Sequence, residues 1–120
     1  MADTPFPSDL LRAQLALHQA RADFAALCPT LPWSVDPMPG WPGDVHPHTG
    51  AVTGGREDSP GWTDEQKTEH ARLLDLIRDL SAEVTTHSYW RSREPGDAVV
   101  KARMALKQHP DVQLAPAQAA

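Results

Sequence analysis

From Pro29 to Gly61 the chain reads PTLPWSVDPMPGWPGDVHPHTGAVTGGREDSPG. Neither the 3.6-residue period of a helix nor the two-residue period of a strand runs through it. Seven of the twelve prolines in the chain fall here. A stretch this long without a periodic element is not an ordinary connection between helices. It separates two helical regions and reduces the foldable helical part to roughly 80 of the 120 residues. That is enough chain for one domain and too little for two.

Three helices are expected outside this segment. In the first, over about 9–27, Leu10, Ala13, Leu17, Ala20, Phe24 and Leu27 recur at alternating spacings of three and four, with Leu11 and Leu15 beside them. Ser8 is a suitable N-cap and Pro29 ends the helix. The heptad-like seam fits packing on another helix of the chain and is also compatible with a coiled-coil or dimer contact. The second helix spans about 63–87. Thr63 and Gln66 have capping-box spacing, and Asp64 and Glu65 place acid at the positive end of the dipole. Leu73, Ile77, Leu80 and Val84 form its apolar stripe, extended by His70 and His87 and widened by Leu74 and Leu76. It ends near Thr86 or continues to Trp90.

The third helix is expected over about 95–108, opened at Glu94 or Pro95 and closed at His109-Pro110. Val99, Val100, Ala102, Ala105 and Leu106 give its apolar side. The second and third helices then form an αα-hairpin plugged by Trp90. The expected fold is all-α. It is a small three-helix bundle with a long Pro/Trp-rich irregular crossing segment, the first two helices antiparallel or nearly so. Residues 1–8 are expected to be a loose N-terminus, 9–110 one helical domain that includes 29–61, and 111–120 a flexible tail.

The formal charge is −5, and only the part after residue 94 carries an excess of cations. No domain-wide basic footprint for nucleic acid exists. One cysteine, Cys28, forbids an internal disulfide and fits a reducing, cytoplasmic setting. The N-terminus shows neither a basic start nor a signal-type apolar run, and no stretch has the ~20 apolar residues of a membrane span.

Trp33, Val35, Met38, Trp41 and Val45 are not linker residues, and the first four are the expected contact residues. Spaced apolar side chains on an extended Pro-rich chain suit docking into a groove. The groove belongs either to the chain's own helices or to a partner protein, and disorder is the third option. From Gly50 to Gly61 a mobile connection is expected. Trp62, before the capping Thr63, is placed for a hydrophobic staple with the Lys67 stem.

A second cluster, Tyr89, Trp90, Arg91 and Arg93 with Lys101, Arg103 and Lys107, interleaves aromatics and cations, as a basic face beside a stacking platform would. The structural alternative is that Trp90 is core and the cations are solvated. His46 and His48 are the best metal-like fragment, but no Cys-x-x-Cys or His-Glu-x-x-His spacing completes a site. His70 and His87 suit the rim of a core. Cys28 stands at a helix C-terminus, the end of the dipole that disfavours a thiolate, and no nucleophile or phosphate-loop motif is present.

Thr86-His87-Ser88-Tyr89-Trp90, followed by Ala102-Arg103-Met104-Ala105-Leu106-Lys107, resembles a segment of small uncharacterised helical proteins of high-GC Gram-positive bacteria. The resemblance covers about a fifth of the chain. It implies a bacterial, cytoplasmic, helical protein and no particular activity.

The expectation from these residues is a non-catalytic protein-interaction module, a small accessory subunit or regulator. It would bind a protein partner, or a second copy of itself, through the Pro/Trp segment or a helix seam. The alternative is a small nucleic-acid-associated regulator using the basic face around Trp90. No enzyme activity, cofactor or membrane contact is expected.

Overall fold

The computed structural model describes residues 6–92 and 96–114. Its helices are α1 (Ser8–Leu27), α2 (Asp64–Thr85) and α3 (Asp97–Gln108), with short 3-10 turns at Cys28–Thr30, Ser88–Ser92 and Pro110–Val112. A two-stranded antiparallel sheet joins β1 (Asp44–Val45) to β2 (Val52–Thr53). The protein is therefore mostly helical rather than all-α. Glu94 and Pro95 as helix openers, Arg93, Met1–Pro5 and the tail from 115 lie outside the described residues.

The seam of α1 is spent inside the molecule. Leu10, Ala13, Leu17 and Ala20 are buried, and Leu10, Ala13 and Leu17 cluster with Val84 and Leu106. The first three turns of the seam thus face the chain's own helices, while Phe24 and Leu27 at its far end are half-buried. Ser8 does not cap α1: Pro7 holds the N-cap position, with no side-chain hydrogen bond. Thr63 and Gln66 do close the expected capping box on α2. The Thr63 hydroxyl accepts from the Gln66 N–H at 3.1 Å, and the Gln66 carbonyl oxygen accepts from the Thr63 N–H at 2.8 Å.

α1 and α2 run antiparallel, since Asp9 meets His87 at one end and Phe24 meets His70 at the other. Leu73 and Val84 are buried on α2, with Ile77 and Leu80 half-buried. Leu74 and Leu76 are exposed and do not widen the stripe. α2 stops at Thr85, where Thr85 and Thr86 hydroxyls turn back onto carbonyls of the last turn.

α3 packs on α1 and on the 110–112 turn instead of running along α2, so the expected αα-hairpin is not formed. Ala102 and Leu106 are its buried side, while Val100 and Met104 are exposed. Trp90 is nonetheless a plug: it packs against the core cluster and donates its indole N–H to the Val84 carbonyl at 2.6 Å.

Within the two segments expected to be loose, Phe6 and Val112 are tied down. Phe6 packs on the core and against Tyr89 and His109. Val112 is fully buried, so ordered structure continues past 110. Among the described residues no helix is long and apolar enough to cross a membrane.

Candidate functional site

The Pro/Gly segment does not stay shapeless. It folds on itself into an antiparallel arm. The Trp62 N–H donates to the Val35 carbonyl, Met38 and Ser59 exchange a pair of backbone hydrogen bonds, and so do Trp41 and Arg56. β1 and β2 continue the same register, with Asp44 opposite Thr53 and Val45 opposite Val52, and the His46 N–H closes on the Ala51 carbonyl near the tip. Gly50–Gly61, expected to be a mobile connection, is the returning strand.

Below β1 and β2 the pairing recurs every third residue, at 35, 38, 41 and 44. Three is the repeat of a polyproline helix, whose backbone makes no internal hydrogen bonds and leaves its groups free for a neighbour. The spacing explains the prolines. Pro37, Pro39 and Pro42 have no N–H to donate, and all three fall between pairing positions. It also explains two glycines. A Cβ on Gly40 would lie 2.1 Å from the Arg56 carbonyl oxygen, and one on Gly43 would lie 2.7 Å from that of Thr53. Only hydrogen fits where the two backbones approach so closely.

Three indoles clamp the arm. Trp33 donates to the Glu57 carbonyl, Trp41 to that of Gly54, and Trp62 to that of Pro32. Trp33 and Trp41 meet edge-to-face at 5.5 Å, and the Arg56 guanidinium lies 5.2 Å above the Trp33 ring. At the base Trp62 stacks on His70 at 4.8 Å, and His70 also meets Phe24. Trp62 thus joins the arm to both α1 and α2, in place of the expected staple on Lys67.

The four residues expected to contact a partner keep their side chains available on this frame. Trp33 is 36%, Val35 45%, Met38 46% and Trp41 49% exposed. Val45, expected among the spaced apolar residues, and Val52, which was not, face each other across the sheet and are exposed as well. The same arm carries Asp36, Asp44, Glu57 and Asp58, with Arg56 as its one Lys or Arg.

The basic cluster is divided by the fold. Tyr89 packs with Phe6 and Trp90 and is not an open stacking platform. Arg91 and Lys101 are exposed and lie outside the hollow that Trp90, Arg103 and Lys107 line. Arg21 of α1 joins that hollow. Sequence reading missed Arg21, although it stands two turns beyond Gln14 on the same side of α1, next to the seam.

His46 and His48 lie with ring centroids 5.8 Å apart, and the His46 Nδ1 accepts from the N–H groups of His48 and Thr49. Among the described residues no group of three or more His, Cys, Asp or Glu side chains could hold a metal ion. Cys28 is a free, exposed thiol. His87 sits at the rim of the core, bonded through Nε2 to Asp9 at 3.0 Å and through Nδ1 to the Tyr89 N–H. Its hydrogen bond holds the Asp9 carboxyl below the ordinary range.

No curated protein and no solved structure shows significant similarity to the chain. Residues 9–109, a span covering all three helices and the arm, match a family described as a domain of unknown function, DUF8825, and the chain belongs to that family.

Proposed function

We propose that this protein is a non-catalytic interaction module, a small accessory subunit or regulator of a cytoplasmic assembly, and that the arm is its contact element. One observation carries the reading. The arm spends the backbone polar groups at its pairing positions and its indole N–H groups on itself, while Trp33, Val35, Met38 and Trp41 remain between a third and a half exposed. Side chains held on a braced frame lose little conformational freedom on binding. The partner that fits is a protein with an apolar groove rimmed by lysine or arginine, because the arm's exposed apolar residues lie among four carboxylates.

Affinity capture with the full chain and with a Val35→Asp/Met38→Glu variant tests this. Neither side chain makes a hydrogen bond that the arm requires. The expected result is one protein recovered near stoichiometry by the wild type. In purified form it should bind directly, and roughly ten-fold or more weakly to the variant, the loss of a hot-spot pair. Equal binding by both chains, at equal helicity, would refute the assignment.

A further inference from the structure

We propose that the hollow between α1, α2 and α3 is a binding site for the phosphate group of a small molecule, independent of the arm. It has a volume of about 100 Å³, and its walls include Gln14, Arg21, Trp90, Arg103 and Lys107. A single water needs only ~10–15 Å³ on the same measure, so a phosphate-sized group fits.

Three features select an anion. First, Arg21, Arg103 and Lys107 converge here from two helices, and none forms an ion pair among the described residues. The chain is net negative, yet it leaves these three cations without a carboxylate at one concave surface. Two guanidinium groups and an ammonium suit phosphate oxygens by charge and by donor geometry.

Second, the buried wall offers a donor. Gln14 is 1% exposed, and its Nε2 lies 2.9 Å from His18 Nε2. The other ring nitrogen, Nδ1, faces the Val112 carbonyl at 2.8 Å and must carry the proton, since a carbonyl only accepts. His18 Nε2 is then the acceptor, and the Gln14 amide must point its NH₂ at it. One N–H of that NH₂ is spent on His18 and the second has no protein acceptor among the described residues. A buried N–H without a partner is costly, and a phosphate oxygen would satisfy it.

Third, Arg21 and Lys107 also edge a wider, open hollow of about 490 Å³ lined by His18, Gln113 and Leu114. The two spaces share Arg21 and Lys107, so a phosphate held there leaves room for the rest of a small organic phosphate in the outer space. Trp90 supplies an apolar wall on the inner side.

Inorganic phosphate titrated into the ¹⁵N-labelled full chain at low salt, with chloride at matched ionic strength as control, is the test. Saturable shifts are expected at the Trp90 indole N–H, the Gln14 amide and the Arg21 and Arg103 side chains, and not with chloride. Arg103→Gln/Lys107→Gln should weaken binding about ten-fold or more, as loss of two charge-assisted contacts does. Arg91→Gln/Lys101→Gln, outside the hollow, should leave it unchanged. Both pairs are exposed residues, so the fold is kept in each variant. Shifts spread over all surface cations, or none at millimolar phosphate, would overturn the site. So would single-stranded oligonucleotide binding that depended on Arg91 and Lys101 with no response to phosphate.

Discussion

The Nδ1 of His18 lies 2.8 Å from the carbonyl oxygen of Val112, ninety-four positions further along the chain. This bond closes the chain's C-terminal part onto α1. It fixes the imidazole tautomer and, through it, the orientation of the buried Gln14 amide. His18→Ala leaves the Val112 carbonyl without its partner and Gln14 without its acceptor. The expected loss is about 1–3 kcal/mol, the usual cost of orphaning buried polar groups. Hydrogen exchange and limited proteolysis should show the segment 109–114 opening first, with α1 and α2 still protected. Global unfolding without selective opening would show that the bond belongs to the main core instead.

Leu73 and Leu74 are neighbours on α2 with opposite surroundings, 1% and 38% exposed. Leu73→Ala should cost about 2–5 kcal/mol through lost burial and the cavity left behind. Leu74→Ala should stay within about 0.5 kcal/mol. Urea unfolding followed by helical circular dichroism measures both. Equal costs would mean that α2 is rotated about its axis relative to the stripe described here.

The helices were legible in the sequence because their signals are local. The seam of α1, the capping box at Thr63 and the break at His109-Pro110 place the three helices to within about two residues of the observed ends. The arm was not legible. Its pairing repeats every third residue, so it matches neither the helix nor the strand template, and its prolines read as breakers when they are spacers between pairing positions. Four of the arm's exposed apolar residues could be named from composition alone, but their rigid setting depends on the Glu57 and Gly54 carbonyls far along the chain. The phosphate hollow was half legible: Trp90, Arg103 and Lys107 were grouped by sequence proximity, whereas Arg21 arrives through the packing of α1.

Asp9 and His87 join the first turn of α1 to the end of α2. The hydrogen bond from His87 is the chief reason that the Asp9 carboxyl titrates below its ordinary value near 3.8. The folded state therefore favours the carboxylate. Its contribution to stability is complete above that ordinary value and is lost as the pH falls through the lowered native one. In ¹³C titrations of the Asp9 carboxyl, His87→Ala should raise the midpoint toward the ordinary value, and acid unfolding should lose the part of its pH dependence that lies below about pH 4. An unchanged midpoint would show that the acid is solvated independently of the imidazole.

Gly40 is the tightest point of the arm, where an added Cβ would fall 2.1 Å from the Arg56 carbonyl oxygen and 2.7 Å from that of Glu57. Both obstacles are backbone, so no side chain can swing away to relieve them. Gly40→Ala must push the strands apart and break the paired hydrogen bonds between Trp41 and Arg56. The helices share no hydrogen bond with this part of the arm. The expected outcome is therefore selective. Helical circular dichroism should be unchanged, while the indole N–H groups of Trp33 and Trp41 lose their protection from exchange and the Trp33–Trp41 contact disappears from nuclear Overhauser spectra. The same variant should lose partner binding if a preformed arm is what the partner recognises. Retained indole protection in Gly40→Ala would mean that the strands do not approach as closely as the three-residue pairing requires.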